Sequence, residues 1–178
     1  MKRIIPFLTA VALCLSLAAC GAKTPAPITD PDAVTITVPA ELAGVESKKQ
    51  LKEQFSGEGY LDARLTDEGQ VILVMTREKH QALLADTERS IRESLEVTAS
   101  AEDNSFTRIE VNEDFTHYTV YTAEEALRTG ENIYTVSLLF SSDIYYAVLG
   151  QNTPQVTVDY ISEVTGEVVY TYPDTTTG

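Results

Sequence analysis

The amino-acid sequence predicts an α+β fold: a mostly antiparallel sheet built from three hairpins plus an N-terminal strand, with two or three helices packed on it. Three observations lead there. Alternating, β-branched runs come in pairs joined by short acidic or glycine-bearing turns. Between the pairs lie stretches whose apolar residues recur at helical spacing, several opened by a serine or threonine in capping position. These elements occupy about 140 residues between two loop-like ends, the usual size of one domain with a real core.

Ala33 to Val38 (AVTITV) alternates and is β-branched, which predicts a strand ended by Pro39. Ser47 with Gln50 forms a capping-box pattern, so a short helix is expected to Phe55, stopped by Gly57. Tyr60 to Leu65 and Gln70 to Met75 flank the turn Thr66-Asp67-Glu68-Gly69 and predict a hairpin. Val71 to Met75 is apolar on both faces, as a central strand requires. Thr76 caps a helix expected to run to about Val97, with Leu84, Ile91 and Leu95 on its dry stripe and Leu83 and Ala82 beside it.

After the loop Thr98 to Ser105, a second hairpin is expected from Phe106 to Val111 and Phe115 to Tyr121. Thr122 with Glu125 is a further capping pattern, predicting a short helix that stops near Gly130. Residues 133–149 (IYTVSLLFSSDIYYAVL) place Ile133, Val136, Phe140, Ile144 and Val148 at helical spacing. They are also β-rich, and Ser141-Ser142-Asp143 suits a turn between two strands. A buried helix is the favoured expectation. Gln155 to Ile161 and Gly166 to Tyr172 predict a third hairpin. Residues 65–81 and 111–127 align without gaps as turn, strand, threonine and acidic first turn. Either an internal repeat or the common form of any hairpin-then-helix unit accounts for this.

The first twenty residues specify an address. Lys2 and Arg3 precede an apolar run from Ile4 to Leu17, and Leu17-Ala18-Ala19-Cys20 has the form of a bacterial lipoprotein cleavage box. A run of roughly 14 residues is shorter than the ~20 that span a bilayer as a helix. The expected organisation is therefore a lipoprotein signal peptide over 1–19 and a lipidated Cys20 with a flexible tether over 20–32. A single α+β domain over 33–172 and a disordered tail over 173–178 follow. Cys14 leaves with the signal peptide, so Cys20 is the sole cysteine of the mature chain and no intramolecular disulfide forms. A diacylglycerol thioether on Cys20 carries two acyl chains, such as palmitate, and two chains anchor durably where one gives only marginal binding.

Composition narrows the partners. The chain has 13 Lys and Arg against 27 Asp and Glu; removing Lys2 and Arg3 leaves 11 basic residues and a net charge of −16. Such a bias argues against nucleic acid and against electrostatic docking on anionic lipid. No lysine or arginine follows Arg128, so that part of the chain has no side-chain cation to clamp a phosphate or carboxylate.

Catalytic and metal patterns are sparse. The two histidines, His80 and His117, have no second cysteine or paired histidine near them in sequence, so no metal site and no cofactor is expected. The acidic turns Asp67-Glu68, Glu102-Asp103-Asn104 and Glu113-Asp114 lack the D-x-D-x-D-G order of a calcium loop and read as solvated turns. There is no G-x-S-x-G elbow, and the lone G-x-G at Gly57 and Gly59 follows a helix, not a strand. Of nine tyrosines, Tyr118 and Tyr121 fall on opposite faces of one strand. Tyr170 and Tyr172 share a face with Tyr160 opposite, and Tyr145 and Tyr146 are adjacent. Such residues either form a stacking surface or complete a core edge, the latter being the commoner case.

The segments TITVPAEL (35–42), GQVILVMTREKHQALLADTERSI (69–91), RIEVNEDFTHYTVYT (108–122) and VTVDYISEVTGEVV (156–169) resemble a family. It comprises uncharacterised small surface lipoproteins of clostridia-like Gram-positive bacteria, some labelled as carrying an antigen I/II N-terminal-type domain. The resemblance covers most of the mature chain and includes the strand-to-helix junction from Val71 to His80. It implies a lipid-anchored surface α+β protein and brings no functional residue beyond Cys20. The expected role is a non-enzymatic binding or envelope-structural module on the extracytoplasmic face of the cell membrane, meeting a protein or glycan partner. The alternative is a cell-wall or glycan-acting hydrolase using a carboxylate pair.

Overall fold

The computed structural model describes residues 32–173 and is α+β, as the sequence predicts. Cys20 and the residues on which the expected signal peptide and most of the expected tail fall lie outside the described residues. The chain divides into two compact units, Met1–Thr87 with Ala147–Gln151, and Glu88–Tyr146 with Asn152–Gly178.

The first unit holds β1 (Ala33–Pro39), α1 (Lys48–Gln54), β2 (Tyr60–Leu65), β3 (Gln70–Thr76) and the start of α2 (Arg77–Ala99). Its sheet has the order β1-β3-β2 and is antiparallel throughout. The run that is apolar on both faces, β3, is the central strand. Val71, Leu73 and Met75 are buried on it, with Ile36 and Val38 of β1, Val45, and Leu51 of α1 completing the core. Each such side chain contributes roughly 1.5–3 kcal/mol on burial.

The local signals act as expected. Ser47 Oγ accepts from the Gln50 amide at 3.3 Å, and Thr76 Oγ1 accepts from the Lys79 amide at 3.1 Å. Gly59 is obligatory. Its φ is +86°, and a Cβ there would stand 2.7 Å from the Lys79 Cβ.

The second unit holds the rest of α2, β4 (Phe106–Val111), β5 (His117–Thr122), most of α3 (Tyr134–Leu149), β6 (Thr157–Ser162) and β7 (Val168–Tyr172). Its sheet runs β4-β5-β6-β7. The two hairpins are antiparallel, but β5 pairs with β6 in parallel, Tyr118 beside Val158 and Val120 beside Tyr160. The strands thus form two sheets rather than one. A parallel pair needs a long crossover, and α3 supplies it, so the last hairpin joins β5. Ile91 and Leu95 of α2 and Leu138 of α3 pack against Phe106, Tyr118, Val120, Val158 and Tyr160 on one face of this sheet.

Two local expectations are corrected. Residues 123–130 form bends, not a helix, and only a 3₁₀ turn at Glu131–Ile133 precedes α3. Thr122 is fully buried at the end of β5, and its hydroxyl is engaged by Ser105 at 2.7 Å and the Glu124 amide at 3.3 Å, not by an amide three residues on. The hairpin-then-helix similarity of 65–81 and 111–127 therefore ends at the threonine.

Residues 133–149 are helical as favoured, but the apolar stripe faces outward. Ile133, Val136 and Phe140 are 68%, 64% and 39% exposed. The buried face is Thr135, Leu138, Ser141, Ser142 and Tyr146. Hydroxyls dock it. Ser142 Oγ donates to the Phe115 carbonyl at 2.7 Å and accepts from the Tyr118 hydroxyl at 3.0 Å. Thr135 bonds the Tyr160 hydroxyl at 2.9 Å, and Tyr146 donates to the Asp114 carbonyl at 3.0 Å.

Candidate functional site

The outer face of the β4-β5-β6-β7 sheet gathers the polar side chains that alternate away from the core. His117 Nε2 lies 2.9 Å from Asp159 Oδ2, and Thr171 Oγ1 donates to Asp159 Oδ1 at 2.7 Å. These residues come from β5, β6 and β7: Asp159 stands opposite Thr171 on β7 and Thr119 on β5, and His117, two positions before Thr119, reaches it diagonally. Beside them Arg108 stacks over the Tyr121 ring at 3.7 Å and binds Glu110 at 2.8 Å, and Tyr121 donates to Glu110 at 3.3 Å. Glu163 stands 4.0 Å from Arg108. A shallow hollow of about 230 Å³ lies among Glu110, Val111, Asn112, His117 and Thr119.

Chemically, this is a polar platform with its charges already paired. The Thr171 hydroxyl is bonded to the carboxylate and not to the imidazole, so the three residues do not form a nucleophile–base relay. An adjoining hollow of about 220 Å³ is lined by Arg92, Leu95, Glu96, Ile109, Glu110 and Val111. It brings two acids, Glu96 and Glu110, to one place, but the Glu110 carboxylate is held by Arg108 and Tyr121. Nothing in the sequence paired His117 with Asp159, because they are 42 positions apart and their register depends on the α3 crossover.

The other residues singled out from the sequence have structural positions. His80 Nε2 donates to the Val148 carbonyl at 2.8 Å, satisfying one of the free carbonyls at the end of α3. Asn104 is buried, donating to the Thr98 carbonyl and accepting from the Phe106 amide. Among the described residues no group of three or more His, Cys, Asp or Glu is placed to hold a metal ion. Apart from Tyr121, which lies under Arg108 on the outer face, the tyrosines singled out from the sequence complete the core or its edge. Tyr118 and Tyr160 are fully buried, Tyr160 packs on Tyr170 at 5.6 Å, and Tyr170 and Tyr172 border the same cluster. Burial pushes the Tyr118 hydroxyl from 10.0 up to about 12, and also raises Tyr160.

Sequence patterns missed the most enclosed carboxylate. Glu131 is 5% exposed; Oε1 accepts from the Ser105 amide at 2.6 Å, and Oε2 accepts from the Ser105 hydroxyl at 2.9 Å and the Arg128 amide at 2.8 Å. Every partner is a neutral donor, and the Arg128 guanidinium goes to Glu124 instead. The residue therefore ties the 123–130 segment to the start of β4. Comparison with protein-family models, curated proteins and solved structures found no match.

Proposed function

We propose that the chain is a membrane-anchored extracytoplasmic lipoprotein whose folded part is a non-enzymatic binding or envelope-structural module. The observation that carries this is the sequence LAAC at 17–20, after a basic start and an apolar run too short to span a bilayer. In this reading the anchor is the lipid on Cys20; among the described residues no helix is long and apolar enough to cross a membrane. The resemblance to small surface lipoproteins of clostridia-like bacteria points the same way.

The binding role is supported by the exposed apolar stripe of α3 and the open polar face of the β4-β5-β6-β7 sheet. A hydrolytic role would rest on Glu96 and Glu110 and would require Glu110 to leave Arg108. Fractionation of cells expressing wild type and Cys20→Ala tests the anchor. The wild type is expected in the membrane pellet and released by detergent; Cys20→Ala is expected to lose that partition. Equal pelleting of both chains overturns the reading.

A further inference from the structure

The outer face of α3 is the feature the rest of the fold leaves unexplained. An amphipathic helix on a protein ordinarily turns its apolar stripe to the core and its polar residues to water. Yet Ile133, Val136 and Phe140 of this segment stand in solvent, while its inner face is satisfied by hydroxyl contacts. The three side chains follow at i, i+3 and i+7, so they form one continuous stripe about 10 Å long. A face of this kind is covered when the protein works.

The charge around it selects the cover. Asp143 is exposed on the same helix, and Asp103 approaches its first turn through the Tyr134 hydroxyl at 3.4 Å. No lysine or arginine follows Arg128. Arg128 sits just before the stripe, but its guanidinium is paired with Glu124 at 2.6 Å; Arg92 stacks on Phe115 at 4.9 Å, and Phe115 in turn packs on Tyr145, off the stripe. A second copy of the chain would bring a net charge of −14 and the same aspartates against this rim. An anionic bilayer would be repelled in the same way.

We propose that the Ile133–Val136–Phe140 stripe is a docking surface for an amphipathic helical segment of another protein. That segment is two to three turns long, with apolar residues at i, i+3 or i+4, and i+7, and lysine or arginine on its flanks. The apolar stripe supplies affinity, and the unbalanced aspartates favour a basic partner and speed its approach. This rests on the reading of the chain as a binding module, but not on its lipid anchor.

The test uses the chain after cleavage, carrying Cys20→Ser so that no lipid is present. Two labelled 14-residue peptides share a leucine stripe at i, i+3, i+4 and i+7; one has lysines elsewhere and the other glutamates. Fluorescence anisotropy is expected to show binding of the lysine peptide only. Val136→Asp is expected to weaken it about tenfold or more, and Val97→Asp, at an exposed apolar site on α2, to leave it within about twofold. Lysine-peptide binding that survives Val136→Asp unchanged overturns the proposal, since charge alone then explains it. So does an absence of binding, or equal binding of the glutamate peptide. A dimer in sedimentation equilibrium that Val136→Asp dissolves assigns the stripe to a second copy instead. Pelleting with anionic vesicles that Val136→Asp abolishes assigns it to lipid. None of these results bears on whether Cys20 is lipidated, so failure here is separable from failure of the anchor.

Discussion

Replacing Glu131 by glutamine changes one atom and tests how the 123–130 segment is held. The carboxylate accepts three hydrogen bonds while 5% exposed, two from backbone amides and one from Ser105 Oγ. Glutamine keeps the shape but turns one acceptor into a donor. If its nitrogen takes the Oε1 position it faces the Ser105 N–H; at Oε2 it faces the Arg128 N–H. At Oε2 the nitrogen also meets the Ser105 hydroxyl, which can turn to accept, so at least one charge-assisted bond is lost either way, worth about 1.5–3 kcal/mol. Alanine removes all three and strands the amide of buried Ser105, for about 1–3 kcal/mol at the usual cost of one buried unsatisfied group. Against a typical domain stability of about 5–15 kcal/mol, both are large. Urea unfolding followed by circular dichroism measures the loss, with hydrogen exchange at the Ser105 and Arg128 amides as a local readout. Glutamine is expected to lower the midpoint by roughly 1 M at an ordinary slope and to speed exchange at one of the two amides. A glutamine variant within about 0.5 kcal/mol of wild type, with both amides still protected, refutes the reasoning.

Two further outcomes follow from the hydroxyl contacts beneath α3. Ser142→Ala leaves the buried Tyr118 hydroxyl without its acceptor and should destabilise by about 1–3 kcal/mol. Tyr118→Phe on that background should cost less than on wild type, which a double-mutant cycle in denaturant measures. Because burial raises the Tyr118 hydroxyl from 10.0 to about 12, the native state keeps a proton that the unfolded chain loses. Stability from this group is fully present below pH 10 and falls as pH rises from about 10 to 12. Unfolding curves across that range should slope downward, and less steeply for Tyr118→Phe.

The sequence was most legible where one residue pattern admits one environment. Val71 to Met75, apolar on both faces, had to be covered on both sides and is the central strand. Thr76 and Ser47, each followed by a helix-forming run, cap α2 and α1. Legibility failed where a polar group does the work of an apolar one. The inner face of α3 is hydroxyl-rich because it meets buried tyrosines, so the apolar period over 133–149 identified a helix and pointed to its wet side. Thr122 has the same capping pattern as Thr76, but its hydroxyl bonds Ser105, which Glu131 holds in turn, and both are brought in by tertiary contact. The His117–Asp159–Thr171 row was hidden for a related reason: it depends on a parallel register set by a crossover.

The claim on which the functional account turns is the chemistry of Cys20. Mass spectrometry of the N-terminal peptide from membrane-extracted protein tests it directly. The account predicts a mature chain that begins at Cys20 and carries a diacylglycerol thioether on its sulfur. A chain that retains residues 1–19, or that begins elsewhere with Cys20 unmodified, would contradict it.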